Sequence, residues 1–161
     1  MVEEARSDLR RPHPFARERV GWMAFKPAMA GNNLLLLGQS YHPVADEHYV
    51  DDETVGARIG VEAMTAAIGI CHRLKCSMFH VHEHGGRGTP RFSHIDISEQ
   101  PKLVFDFFAI RRGFPHGALV LSENGMAGRV WTRRSRLLTV AEFHTVGLPS
   151  GVFYAESGGA A

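Results

Sequence analysis

The residues best suited to chemistry lie in one histidine-rich stretch, residues 79–96. A strand-like apolar run leads into it, and a glycine-rich loop follows the histidines before a Ser-x-x-Asp sequence. His80, His82 and His84 alternate along the end of the predicted strand, and side chains two residues apart on a strand point to the same face. Neighbours in such a row are about 6–7 Å apart, so two adjacent imidazoles can converge on one metal ion.

A catalytic zinc ion typically has three protein ligands and one open position for water. Two histidines and one carboxylate fit this arrangement. Asp96 is the best third ligand, because the glycines after His84 allow the chain to bend back. The sequence therefore predicts a zinc site formed by two adjacent histidines of this row and Asp96. The pair is either His82 and His84 or His80 and His82, and the second pair would require a longer loop before Ser93.

Other metal motifs that contain histidine do not fit this stretch. An HExxH helix would need a histidine where Gly86 stands, and the His-x-His-x-Asp-His pattern of metallo-β-lactamases fails at residues 83–85. A cupin site would need a glutamate shortly after His-x-His, and a cysteine-based deaminase site would need Pro-Cys-x-x-Cys. The sequence contains neither of these two features.

Three short motifs do fit a known order, and one of them lies far upstream of the histidines. They are Glu18-x-x-Gly21-x-Met23, His82-x-His84 and Ser93-x-x-Asp96. Together they resemble the JAMM motif of the MPN+ zinc metalloproteases, and the order of elements is similar over roughly residues 15–135. The resemblance is to the prokaryotic branch associated with ubiquitin-like conjugation proteins. It implies a single MPN-like (cytidine-deaminase-like) domain.

The resemblance also implies a role for each site residue. His82, His84 and Asp96 would bind zinc, and Ser93 would hydrogen-bond the oxyanion or the water. Glu18 would act as general base on a zinc-bound water and then pass the proton to the leaving amine. These roles are chemically consistent, because zinc lowers the pKa of a bound water and a nearby carboxylate can accept the proton of that water.

The activity implied by the resemblance is cleavage of a peptide or isopeptide bond at the C-terminus of a ubiquitin-like protein or its conjugates. The reaction would be deconjugation or precursor processing, and E1-like and E2-like proteins would be further partners. Two alternatives are a non-catalytic MPN-like scaffold or binding module, and a zinc hydrolase that acts on a small-molecule or sulfur-carrier conjugate.

Two details of the metal stretch differ from the family pattern. Glu83 stands between the two histidines, where the family usually has Ser or Thr. The segment from His84 to Ser93 is one residue longer than usual, and the extra residue is expected within residues 85–87.

The remaining elements are predicted as a scaffold of order ββ-α-β-α-ββ-β. Two strands form an initial hairpin, an edge strand follows, and a helix has Asp51 and Asp52 at its N-terminus. An Asn-Gly turn joins two later strands. The predicted strands are 18–25, 34–38, 47–50, 76–82, 117–122, 127–132 and 137–145, the last of which alternatively runs into a short helix, and the second helix is 97–111. This order predicts an α/β fold with a mixed, mostly antiparallel sheet flanked by helices.

Composition places the chain among globular proteins. Its 161 residues are 44% hydrophobic with net charge +1, which indicates one packed domain and no surplus of positive charge for nucleic acid. No apolar run approaches the roughly 20 residues that a membrane span needs. Two cysteines, Cys71 and Cys76, are too few for a secreted disulfide scaffold, so a reducing cytoplasm is expected. We predict an N-terminal extension at 1–14, the metalloprotease domain at 15–148 and a flexible tail at 149–161.

Overall fold

A six-stranded mixed sheet forms the centre of the computed structural model, which describes residues 1–146 and 151–154. Its strands are β1 (Val20–Ala30), β2 (Asn33–Pro43), β3 (Ser77–Glu83), β4 (His116–Leu121), β5 (Met126–Arg133) and β6 (Arg136–Thr139). Their order is β2-β1-β3-β4-β5-β6. The pair β3 and β4 is parallel, and the other neighbours are antiparallel.

Helices cover both faces of this sheet, and a small second sheet follows it in the chain. The helices are α1 (Val2–Leu9), α2 (Val61–Leu74), α3 (His94–Phe105) and α4 (Phe107–Ile110), and the second sheet pairs β7 (Glu142–Thr145) with β8 (Gly151–Tyr154). The predicted α/β class, with a mixed sheet flanked by helices, is confirmed. Among the described residues, no helix combines the length and apolar character needed to cross a lipid bilayer.

Strand β3 is buried on both faces along all but its last residue. On one face, Met78 belongs to a core that includes Trp22 and the small residues of α2. On the other face, Phe79 and Val81 pack in a second core with residues of α1. Side chains that alternate along β3 therefore enter different cores, and its histidines lie on the face covered by α2, α3 and α4.

The N-terminal segment predicted as an extension contributes to the packed domain. Its residues form α1, in which Ala5 and Leu9 are buried in the second core. At the other end of the chain, residues 151–154 of the predicted flexible tail form β8. The rest of that predicted tail, residues 149–150 and 155–161, lies outside the described residues.

The predicted start of α2 is wrong, because Asp51 and Asp52 lie well before the helix, which begins at Val61. The Asp52 carboxylate instead accepts hydrogen bonds from Thr54 and pairs with Arg58. An aspartate that bonds to a backbone N–H two residues later stabilises a turn as readily as a helix start. The predicted edge strand 47–50 is also wrong, because a short 3-10 helix, Asp46–His48, occupies this part of the chain.

The second predicted helix is divided into α3 and α4, and it begins three residues early, at His94. Arg134 donates to the carbonyl of Phe105, which would otherwise accept the N–H of Ala109 in a continuous helix. The Ala109 N–H bonds to the Asp106 carbonyl instead. The last predicted strand is likewise two short strands, β6 and β7, which belong to different sheets.

Candidate metal centre

The end of β3 and the first turn of α3 bring His82, His84 and Asp96 together. The Nε2 atoms of the two histidines are 3.2 Å apart. His82 Nε2 is 3.3 Å from Asp96 Oδ1, and His84 Nε2 is 3.6 Å from Asp96 Oδ2. Ligands at about 2.0–2.1 Å in a tetrahedron are separated by about 3.4 Å. The three side chains therefore form a group that could hold a metal ion.

Backbone hydrogen bonds hold both ligand-bearing segments. The N–H of His84 donates to the carbonyl of Leu121 at 2.9 Å, which keeps this residue beside β4 after β3 has ended. Ser93 is the N-cap of α3, and its Oγ accepts the Asp96 N–H at 3.1 Å. In return, Asp96 Oδ2 accepts the Ser93 N–H at 2.7 Å. This capping box orients the carboxylate, so the residue that caps the helix is also the carboxylate of the candidate metal group.

The Asp96 carboxyl is charged in this environment. Burial raises its pKa, but the hydrogen bonds from His82 and Ser93 lower it by more, and the resulting pKa lies far below its ordinary value. His82 is almost completely buried, whereas the side chains of His84 and Asp96 retain partial exposure. The group is therefore closed on its inner side and accessible from outside, as a metal centre with an open ligand position requires.

His80 continues the row of histidines but does not belong to this group. Its ring lies 5.7 Å from that of His82, compared with 4.8 Å between His82 and His84, and it packs edge-on against Trp22. Burial lowers the pKa of His80 to about 3, so this imidazole is neutral. Among the described residues, the three-ligand group contains His82 and His84, which distinguishes the two histidine pairs that the sequence left open.

Glu18 lies two residues before β1 rather than within it. The pairing of Val20 with His82 places residue 18 at the level of His84 across the two strands. Glu18 lines a cavity of about 570 Å³ together with Glu83 and Gly85, which flank His84. Within the described part of the chain, no hydrogen bond or ion pair joins Glu18 to the three ligands. The structure therefore places it at the margin of the centre.

Gly56, in the loop before α2, holds the backbone of Glu18 and limits the space of its side chain. Its carbonyl accepts the N–H groups of Arg17 and Glu18 at 2.8 and 3.1 Å. A Cβ at this position would lie 2.8 Å from both Cδ and Oε2 of Glu18. A glycine is therefore needed for the observed carboxylate position. Its place in the loop before α2 carries no local signal for this role.

Arg10 is a second residue that sequence reasoning missed. Its Nε lies 3.0 Å from both carboxylate oxygens of Glu83, and its Nη2 contacts Oε1 as well. The ion pair joins the residue that follows α1 to the residue between the two ligand histidines. No local pattern could have identified this pair, since its members are 73 positions apart in the sequence.

Comparisons with known proteins do not assign the chain to a family. No protein-family model matches it, and no curated protein matches it. The chemistry of the centre must therefore be inferred from its own residues, which are two imidazoles and one capped carboxylate, and from a glutamate that lines a neighbouring cavity.

Proposed function

We propose that the protein is a zinc-dependent (iso)peptidase of the JAMM type, with an MPN-like domain. The observation that carries this proposal is the convergence of His82, His84 and Asp96 at metal-binding distances. The order of the upstream Glu18 and the capping Ser93 relative to these ligands supports the same interpretation. Two imidazole nitrogens and one carboxylate oxygen form a donor set that suits zinc.

His82, His84 and Asp96 would hold the metal. Zinc, when bound, supplies Lewis-acid polarisation of a carbonyl and lowers the pKa of a coordinated water. The buried side of His82 and the capping hydrogen bonds of Asp96 restrict movement of the ligands. The partly exposed side leaves space for a substrate carbonyl.

Glu18 would serve as the general base and proton carrier. Its carboxylate would accept a proton from the attacking water and deliver it to the leaving amine, so that the amine departs neutral. Gly56 keeps the backbone of Glu18 in place through its carbonyl. This fixed backbone supports a role for a carboxylate that is not itself a member of the ligand group.

Ser93 would stabilise the oxyanion of the reaction. Its Oγ already accepts the N–H of Asp96, which leaves the hydroxyl hydrogen available to donate. A hydrogen bond directed at the position where negative charge develops lowers the barrier more than one directed at the substrate.

The proposed substrate is the C-terminus of a ubiquitin-like protein or of its conjugate, with E1-like and E2-like proteins as further partners. The resemblance of the three motifs to those of the MPN+ metalloproteases supports this choice. The cavity beside Glu18 has a volume of about 570 Å³, which is sufficient for a short extended tail. Gly85 forms part of its wall and would allow close approach of a substrate backbone.

The experiment that tests the proposal replaces Glu18 by Gln and measures zinc content together with hydrolysis of a ubiquitin-like fusion. We expect about one zinc per chain in both proteins and loss of hydrolysis in Glu18→Gln. Glu123→Gln is the matched control, because Glu123 lines the same cavity and is exposed. Undiminished hydrolysis by Glu18→Gln would exclude the assigned role. A folded protein that binds no zinc would instead favour the non-catalytic scaffold.

A further inference from the structure

Positive charge is concentrated in the part of the chain that follows α3. The whole chain has net charge +1, yet residues 107–141 contain a single carboxylate, that of Glu123. The arginines of this segment are Arg111, Arg112, Arg129, Arg133, Arg134 and Arg136. Such separation of charge within a nearly neutral protein indicates a surface suited to anions.

Three of these arginines line a cavity of about 410 Å³ at the end of the β5–β6 hairpin. They are Arg112, Arg133 and Arg134, and Phe108 and Ala109 of α4 form the rest of the lining. No described acidic side chain is part of it. Its volume lies within the range of small-molecule sites. The cavity is therefore large enough for a ligand and carries positive charge that the lining itself does not neutralise.

The pairing of β5 with β6 places two of the arginines against each other. Arg133 and Arg136 are direct partners in the antiparallel register. Like charges in such positions destabilise a sheet. In the described part of the chain, neither of them, nor Arg112, forms an ion pair with a carboxylate. An anion bound in the cavity would reduce the repulsion between these two arginines, which no carboxylate of the described residues neutralises.

Arg134 supplies a fixed donor on the same side. Its Nη2 donates to the Phe105 carbonyl at 3.0 Å, and its guanidinium lies 5.6 Å from the centre of the Phe105 ring. These contacts use one of the five N–H donors of the guanidinium. The remaining donors are held in place before any ligand arrives, which reduces the entropy lost on binding.

We propose that this arginine cavity binds a small molecule through a diphosphate group. Guanidinium groups match the oxygens of phosphate with paired hydrogen bonds, and three of them line this cavity. The cavity is separate from the metal centre, because Asp96 lies in the first turn of α3 and Phe105 is its last residue. These two residues are about 14 Å apart along a helix with 1.5 Å rise per residue.

Isothermal titration calorimetry of the full chain with inorganic pyrophosphate and with a nucleoside diphosphate tests this proposal. We expect wild type to bind pyrophosphate, and the double variant Arg112→Gln, Arg133→Gln to bind at least about tenfold more weakly. Arg58→Gln is the matched control, since Arg58 is an exposed arginine outside the cavity. Tighter binding of the nucleoside diphosphate would add a nucleoside subsite, and equal binding would identify the diphosphate alone as the recognised group.

Asp96→Asn separates this cavity from the metal centre, because diphosphates also bind divalent metal ions. We expect Asp96→Asn to bind pyrophosphate as wild type does. Loss of binding in that variant would assign the ligand to the metal centre and overturn the proposal. No binding by wild type at millimolar concentration, or equal binding by wild type and the double variant, would also overturn it.

Thermal unfolding at low ionic strength gives a second readout. Without ligand, Arg133→Gln should unfold at the same temperature as wild type or higher, because it removes the repulsion with Arg136. Pyrophosphate should raise the unfolding temperature of wild type by more than that of Arg133→Gln. A variant that is less stable than wild type without ligand, and equally stabilised by pyrophosphate, would show that these arginines have a structural role alone.

Discussion

Replacing Arg10 by Ala removes the ion pair that joins α1 to the end of β3 at the candidate metal centre. The Arg10 guanidinium forms a forked interaction with Glu83, which stands between the candidate ligands His82 and His84. The Arg10 side chain is 50% exposed, but that of Glu83 is only 9% exposed. The variant therefore leaves a nearly buried carboxylate without its partner.

The expected cost follows from this unequal burial. Exposed ion pairs contribute about 0.2–1 kcal/mol, whereas breaking a buried pair costs about 3–5 kcal/mol. The pair of Arg10 and Glu83 lies between these limits, so we expect Arg10→Ala to lower the free energy of unfolding by about 2 kcal/mol. In a double-mutant cycle with Glu83→Gln, the coupling energy should be about 1 kcal/mol.

Urea unfolding followed by circular dichroism measures this cycle, with chelator present so that metal binding does not add to stability. Arg87→Ala is the matched control. Arg87 is 79% exposed and its partner Glu123 is 53% exposed, so its loss should cost about 0.5 kcal/mol or less. Equal effects of Arg10→Ala and Arg87→Ala, or a coupling energy near zero, would refute the reasoning.

Three further predictions concern the site and the core. Gly56→Ala should reduce hydrolysis by about tenfold to a hundredfold, because the added Cβ would displace Glu18, and it should leave zinc content unchanged. Gly69→Ala is the control and should retain activity, because its added Cβ would point into open space. Asp96→Asn should weaken zinc binding more than about tenfold in competition with a chelator, and unchanged affinity would exclude Asp96 as a ligand. Burial lowers the pKa of His116 to about 4, because it favours the neutral imidazole in the folded protein. The free energy of unfolding is therefore highest above the ordinary pKa of histidine and decreases as the pH falls towards 4. His116→Gln should remove up to about 3 kcal/mol of that pH dependence in urea unfolding.

Local sequence patterns predicted much of the sheet. The alternation before His84 predicted β3, and the Asn-Gly sequence predicted the connection between β4 and β5. The Ser93-x-x-Asp96 sequence is the capped start of α3, which lies three residues before the predicted start of that helix. Each pattern depends on residues within a few positions of one another, where backbone geometry leaves few alternatives.

The errors arose where one local pattern can satisfy two structures. Asp52 suits a helix N-terminus, but its side chain stabilises a turn with Thr54 in the loop before α2. The helical spacing of apolar residues at 97–111 suits one helix. Arg134 donates a hydrogen bond to the Phe105 carbonyl instead, and α3 ends there. Both outcomes depend on a hydrogen-bond partner that periodicity does not contain.

The sequence by itself determined the kinds of ligand in the candidate centre, because His82, His84 and Asp96 are placed by a strand and a capped helix with regular geometry. Only the tertiary structure decided which two histidines meet Asp96, since that choice depends on how α3 packs across β3. It also decided that Arg10 pairs with Glu83. Contacts of this kind depend on the packing of entire elements, which residues close together in the chain do not specify.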